Sequence, residues 1–144
     1  MSFLKLLLLV LVFMTCCLSW SQDLDDYKWE NRLLFFIAKN NESPSLQKNV
    51  RIFTEKDYEL TDRDLIILIM NPTNVFNADG SKSNIKPEQV YERFKLISDY
   101  EGILLIGKDG GIKLKKQFQV KPEIIFNTID GMPMRQSELR SRKN

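Results

Sequence analysis

Leu33-Leu34-Phe35-Phe36-Ile37-Ala38 and Leu65-Ile66-Ile67-Leu68-Ile69-Met70 are two six-residue runs without a polar interruption. Six residues suit a strand and are too few for a stable helix. Apolar side chains at every position, rather than at every second one, belong to strands covered on both faces. These two runs therefore predict two buried strands of a sheet covered by helices on both faces.

The intervening and flanking segments supply those helices. After the first run, residues 39–43 form a polar loop. Pro44 then stands at a first helical position with Ser43 as its N-cap. Leu46, Val50 and Phe53 recur at i, i+4, i+7, one face of that helix. Residues 61–64 break the pattern before the second run. Residues 71–83 read as a polar loop with an Asp79-Gly80 turn. Pro87 and Glu88 open a second helix whose apolar face is Val90, Phe94 and Ile97. Ile103-Leu104-Leu105-Ile106 is a third strand. Lys108-Asp109-Gly110-Gly111 is a tight hairpin turn, since Asp-Gly tolerates positive φ. Ile112 to Lys115 alternates with period two and predicts a fourth strand with one wet face. Pro122 opens a third helix with Ile125, Phe126 and Ile129 inward and Gly131 at its end. Pro133 starts a short amphipathic tail.

The order is β-α-β-α-β-β-α. A helix between the first two strands makes them parallel through a right-handed crossover, and the last two form an antiparallel hairpin. The expected fold class is α/β, a four-stranded mixed sheet with helices on both faces, the element order of the thioredoxin-like fold. The 144 residues, 43% hydrophobic and 28% charged, suit one domain and exclude collagen-like and mostly disordered chains.

Residues 1–21 read as a secretory signal. Lys5 supplies a positive n-region, and the apolar run from Leu6 to Leu18 is 13 residues long, short of the ~20 needed to span a bilayer. Ser19-Trp20-Ser21 has the small-x-small form of a cleavage site, which places the cut before Gln22. An uncleaved anchor and a lipoprotein modified at Cys16 or Cys17 are the alternatives; Phe13-Met14-Thr15 suits lipidation poorly. We expect an exported chain, periplasmic or secreted, divided into signal peptide 1–21, N-terminal segment 22–31, domain 32–140 and basic tail 141–144. Removing the first 21 residues leaves 123 and takes away both cysteines and Lys5, so 20 basic and 19 acidic groups give a charge of +1. That balance offers no electrostatic case for nucleic acid or anionic lipid, and no membrane span is expected after cleavage.

Three segments stand out: Trp29-Glu30-Asn31-Arg32-Leu33-Leu34, the run from Glu101 through Lys108-Asp109-Gly110-Gly111 to Leu114, and Ile129-Asp130-Gly131-Met132-Pro133-Met134-Arg135-Gln136-Ser137-Glu138-Leu139-Arg140. Together they resemble the DUDES family, domain of unknown function 4174, over about residues 24–140. That family is found in small exported bacterial proteins and in vertebrate extracellular proteins with sushi repeats. The resemblance implies a thioredoxin-like, peroxiredoxin-like fold, and with it a proposed cysteine-dependent peroxidase activity.

The residues needed for that chemistry are missing. A thioredoxin-type thiol sits after the first strand, where a helix N-terminus stabilises the thiolate. Residues 39–45 contain no cysteine, and residues 98–101 lack the proline that precedes the third strand in such proteins. A serine hydroxyl cannot replace a thiolate in peroxide reduction. The absence of any histidine excludes a Ser-His-Asp triad, a Cys-His pair and imidazole metal sites. No catalytic residue, metal site or cofactor is expected. Asp23, Asp25 and Asp26 lack the glycine and terminal glutamate of a calcium loop and read as a solvated linker.

What remains is binding. The expected function is an exported, non-catalytic thioredoxin-fold module for an unidentified protein or small anionic ligand; a peroxiredoxin-like oxidoreductase is the alternative. Its candidate surface is the loop Lys39, Asn40, Asn41 and Ser43, with Tyr100 and Glu101 opposite, because a helix N-terminus accepts anions without a thiol. Arg32 and Arg135 complete the candidate set. For Arg32 and Arg63 an ion pair with Asp62 or Asp64 competes with anion binding. Arg135 is expected to pair with an acid such as Asp130 while Met132 and Met134 plug the gap under the third helix; an exposed thioether surface is the other reading. Lys113, Lys115 and Lys116 predict a solvated sheet edge.

Overall fold

The computed structural model describes residues 23–143; the expected signal segment 1–21, with Cys16 and Cys17, lies outside the described residues. Both apolar runs are central strands. β1 (Arg32–Ile37) pairs in parallel with β2 (Leu65–Met70), from Arg32 opposite Leu65 to Ile37 opposite Met70. On its other side β1 runs antiparallel to β4 (Gly102–Ile106), which pairs with β5 (Ile112–Lys116). Among the described residues the sheet has five strands, not four. A short β3 (Val75–Asn77) adds antiparallel to β2 inside the expected loop, giving the order β3-β2-β1-β4-β5. Three residues carry too little periodicity to announce a strand.

Alternation along β1 splits the core in two. Leu33, Phe35 and Ile37 face Val90 and Phe94 of α3 (Pro87–Phe94), with Leu24 of an N-terminal 3-10 helix (Leu24–Tyr27) closing that side. Leu34 and Phe36 face α1 (Pro44–Thr54) and α4 (Pro122–Asp130), where Phe53 meets Phe36 edge-on at 5.4 Å and Phe126 at 6.2 Å. Helices thus cover both faces, as the uninterrupted apolar runs require. A one-turn α2 (Asp57–Asp62) precedes β2, and α5 (Pro133–Ser141) absorbs the expected tail up to Ser141. Leu24 is buried and Tyr27 packs against the same cluster, so the N-terminal segment docks on the folded body.

Two local expectations fail. Ser43 makes no side-chain cap to α1; its hydroxyl contacts that of Ser45. Ile97 is not on the α3 face, because the helix stops at Lys95 in a left-handed conformation (φ 49°) and Ile97 is exposed. The hairpin behaves as expected: Gly110 takes φ 81°, and the amides of Gly107 and Gly110 close the turn on Gly111 and Gly107 carbonyls.

Candidate functional site

The carboxyl end of β1 carries the loop expected to bind ligand. Lys39, Ser45, Asp99, Glu101 and residues 117–119 line an open polar hollow of about 930 Å³ there. Backbone groups of the loop are met locally, while the Asn41 Oδ1 is buried without a partner among the described residues. Glu101 accepts the Lys39 amide at 3.0 Å, the Asn40 side chain accepts the Glu42 amide at 2.9 Å, and Gln47 donates to the Asn41 carbonyl. Glu101 therefore stands opposite the loop as expected, but Tyr100 does not. Its ring is buried on the far face of the sheet and its hydroxyl donates to the carbonyls of Ile103 and Lys116. The loop after β5 is pinned by Asn49, fully buried in α1, which exchanges two hydrogen bonds with the Val120 backbone.

Arg32 and Arg135 lie at the opposite, amino end of β1, and with them the three distinctive sequence segments converge. Arg32, 1% exposed, donates to both oxygens of Glu138 on α5 (3.1 and 3.3 Å) and to the Arg63 carbonyl. Lys108, from the β4-β5 hairpin, reaches Glu138 at 2.9 Å and Asp64 at 2.8 Å. Arg135, 2% exposed, pairs with Asp62 and Asp130. Arg63 also takes Asp130, at 2.6 Å, while its guanidinium lies 4.7 Å over the Phe126 ring. Arg142 completes the cluster on Asp62. Five cations and four carboxylates thus bind α5 across the ends of β1 and β2. The expected Arg135–Asp130 pair forms. Arg32, however, pairs with neither Asp62 nor Asp64 but with Glu138, 106 residues away in sequence, a distance no local pattern reports.

These pairs work electrostatically because each buried charge has a counter-charge and a hydrogen bond. Burial pushes the Glu138 carboxyl up, but hydrogen bonds and charge from Lys108 and Arg32 outweigh it and hold the group below its ordinary range. Asp62 follows the same balance, with Arg135 and Arg142 prevailing over burial.

Beside the cluster, between the hairpin and the α4-α5 turn, lies a cavity of about 690 Å³. Its lining includes Arg32, Lys108 and Lys113 and, from the α4-α5 turn, Met132, Pro133 and Met134. Met132 is half-buried against the core while Met134 is 38% exposed, so only the first acts as a plug. The N-terminal aspartates have structural roles instead of a shared one. Asp23 and Asp26 cap the 3-10 helix, and Asp25 pairs with Arg93 at 2.8 Å. Among the described residues no group of three or more His, Cys, Asp or Glu side chains is placed to hold a metal ion. Nor is any helix among them long and apolar enough to cross a membrane.

The family model for a domain of unknown function, DUF4174, matches residues 23–138. The chain belongs to this family. No curated protein matches the sequence. Among solved structures, the reduced 2-Cys peroxiredoxin of Plasmodium vivax is similar with a TM-score of 0.52 and 11% identity, over 78% of this chain and 70% of that one. The mitochondrial 2-Cys peroxiredoxin of Plasmodium falciparum gives 0.49 and 11%, over 74% and 77%. At such identity the likeness is one of fold, and the Plasmodium vivax comparison carries it: the DUF4174 domain here has the thioredoxin-like fold of peroxiredoxins.

Proposed function

We propose that this DUF4174 domain is an exported, non-catalytic binding module built on a redox fold. One observation carries the reading. Residues 39–45, which lead from β1 into the amino end of α1, are Lys-Asn-Asn-Glu-Ser-Pro-Ser. A thiolate catalyst of this fold needs a cysteine there, held by the helix dipole. The loop that replaces it is engaged with itself and with Glu101. The binding face is therefore the other end of β1, where the family's distinctive segments build one charged cluster and one cavity.

The test has two parts. The exported product is sequenced at its N-terminus, with Gln22 expected, and the chain from residue 22 to 144 is assayed for peroxide consumption with dithiothreitol and with thioredoxin as reductants. We expect no turnover above the protein-free rate and no effect of iodoacetamide. Turnover by that product would establish the oxidoreductase alternative instead.

A further inference from the structure

We propose that the cavity between the β4-β5 hairpin and the α4-α5 turn binds a small amphipathic carboxylate: one anionic head on an apolar body. This rests on the binding-module reading and names the ligand class of that face.

The donors are in excess on one wall. Arg32 is 1% exposed and borders the cavity, and its Nε has no hydrogen-bond partner although both terminal nitrogens are engaged. That Nε is enclosed by the protein, so the guanidinium offers an anion in the cavity its charge rather than this hydrogen bond. Lys108 spends its ammonium on Asp64 and Glu138, leaving one of three protons. Lys113 spends one on Asp109 at 2.7 Å, leaving two. Asp109 is the one carboxylate on the wall, and it is already met by Lys113 and the Gly111 amide. An anion entering there meets unused donors rather than an unpaired acid.

The lining from the α4-α5 turn includes an apolar, adaptable stretch beside Asn127 and Thr128. Met132, Pro133 and Met134 lead into α5, and two flexible thioethers mould to varied apolar bodies. The cavity also has a defined shape. A methyl group on Gly107 would stand 2.4 Å from the Lys113 side chain, so the absence of a side chain at 107 is what lets the lysine stem lie along the cavity. A head held by charge-assisted hydrogen bonds and a body against methionine is the pattern of a small-molecule site.

The probe is decanoate, titrated by calorimetry into the chain from residue 22 to 144, with decan-1-ol and acetate as partial ligands. Decanoate should bind saturably with one site, and the alcohol and acetate at least tenfold more weakly. Lys113→Glu reverses charge on the donor wall, and Met134→Asp removes the apolar wall at an exposed first-turn position where an acid suits the helix. Each should weaken decanoate at least tenfold; Met134→Asp should leave the thermal midpoint unchanged, whereas Lys113→Glu also breaks the Asp109 pair and is titrated well below its own midpoint; if one fails to fold, the other suffices. Absence of saturable binding overturns the proposal. So does equal binding of the alcohol, or full affinity in the folded variants. The peroxide assay stands apart from this result, so either reading can fail alone.

Discussion

Glu138 receives Arg32 and Lys108 at once and lies 3.7 Å from Arg135. Removing its charge leaves a fully buried guanidinium without its counter-ion. Breaking a buried pair from one side costs about 3–5 kcal/mol, whereas an exposed i,i+4 pair contributes about 0.5 kcal/mol or less. Glu138→Gln should therefore lower stability by roughly 3 kcal/mol in urea denaturation. Arg51→Ala, which deletes the solvent-exposed pair to Glu55, should change it by less than about 0.5 kcal/mol. Equal losses would mean the buried cluster is no more than surface charge. The same group sets the acid response. Glu138 and Asp62 are both held below their ordinary values of 4.5 and 3.8. Carboxylates depressed by folding stabilise the fold fully above their unfolded values, and that contribution is lost as pH falls through the folded ones. The thermal midpoint should stay level from about pH 7 to 5 and fall below about pH 4.5. The fall should be shallower in Glu138→Gln; an identical slope would assign acid sensitivity to other groups.

At the scale of elements, what the sequence reveals depends on how local the cause is. Leu46, Val50 and Phe53 on α1 and Ile125, Phe126 and Ile129 on α4 are buried as their spacing required. The six-residue runs became β1 and β2 because every side chain in them is apolar, and a strand apolar throughout must be covered on both faces. β3 escaped notice because Val75-Phe76-Asn77 is too short to alternate, and α2 because among its residues Asp57–Asp62 the apolar ones, Tyr58 and Leu60, do not repeat at helical spacing. Ile97 misled because its i+3 spacing from Phe94 looks helical, while the backbone turns left-handed at Lys95. Glycines show the same divide. Gly102 and Gly80 both hold positive φ, at 146° and 86°. A Cβ on Gly102 would lie 2.2 Å from the Lys116 carbonyl oxygen across the hairpin, whereas one on Gly80 meets nothing within 4 Å. Gly80→Ala should cost about 1–2 kcal/mol of backbone strain. Gly102→Ala adds overpacking against main chain that cannot move aside and should cost more than about 3 kcal/mol. Guanidinium denaturation midpoints distinguish the two, and comparable shifts would contradict the close β4-β5 approach.

Across the whole molecule, the candidate residues separate to opposite ends of one strand. Lys39, Asn40, Asn41 and Ser43 gather at the carboxyl end of β1, and Arg32 and Arg135 at its amino end; Tyr100 belongs to the core between them. The sequence singled out Arg32, Lys108, Asp130 and Arg135 as parts of three segments, yet their convergence could not be read from it. Ion pairs such as Arg32–Glu138 join residues 106 positions apart, and pairing at that range is set by topology. The fold is the thioredoxin-like fold of peroxiredoxins, and the buried charge cluster sits at the amino end of β1, away from residues 39–45. The measurement that tests this directly is a two-dimensional ¹H–¹⁵N spectrum of the chain from residue 22 to 144, titrated with decanoate. Shifts should concentrate at Gly107, Gly110, Gly111, Gly131 and Met134, leaving residues 39–45 and 117–119 unmoved. Shifts centred on residues 39–45, or none at all, would contradict it.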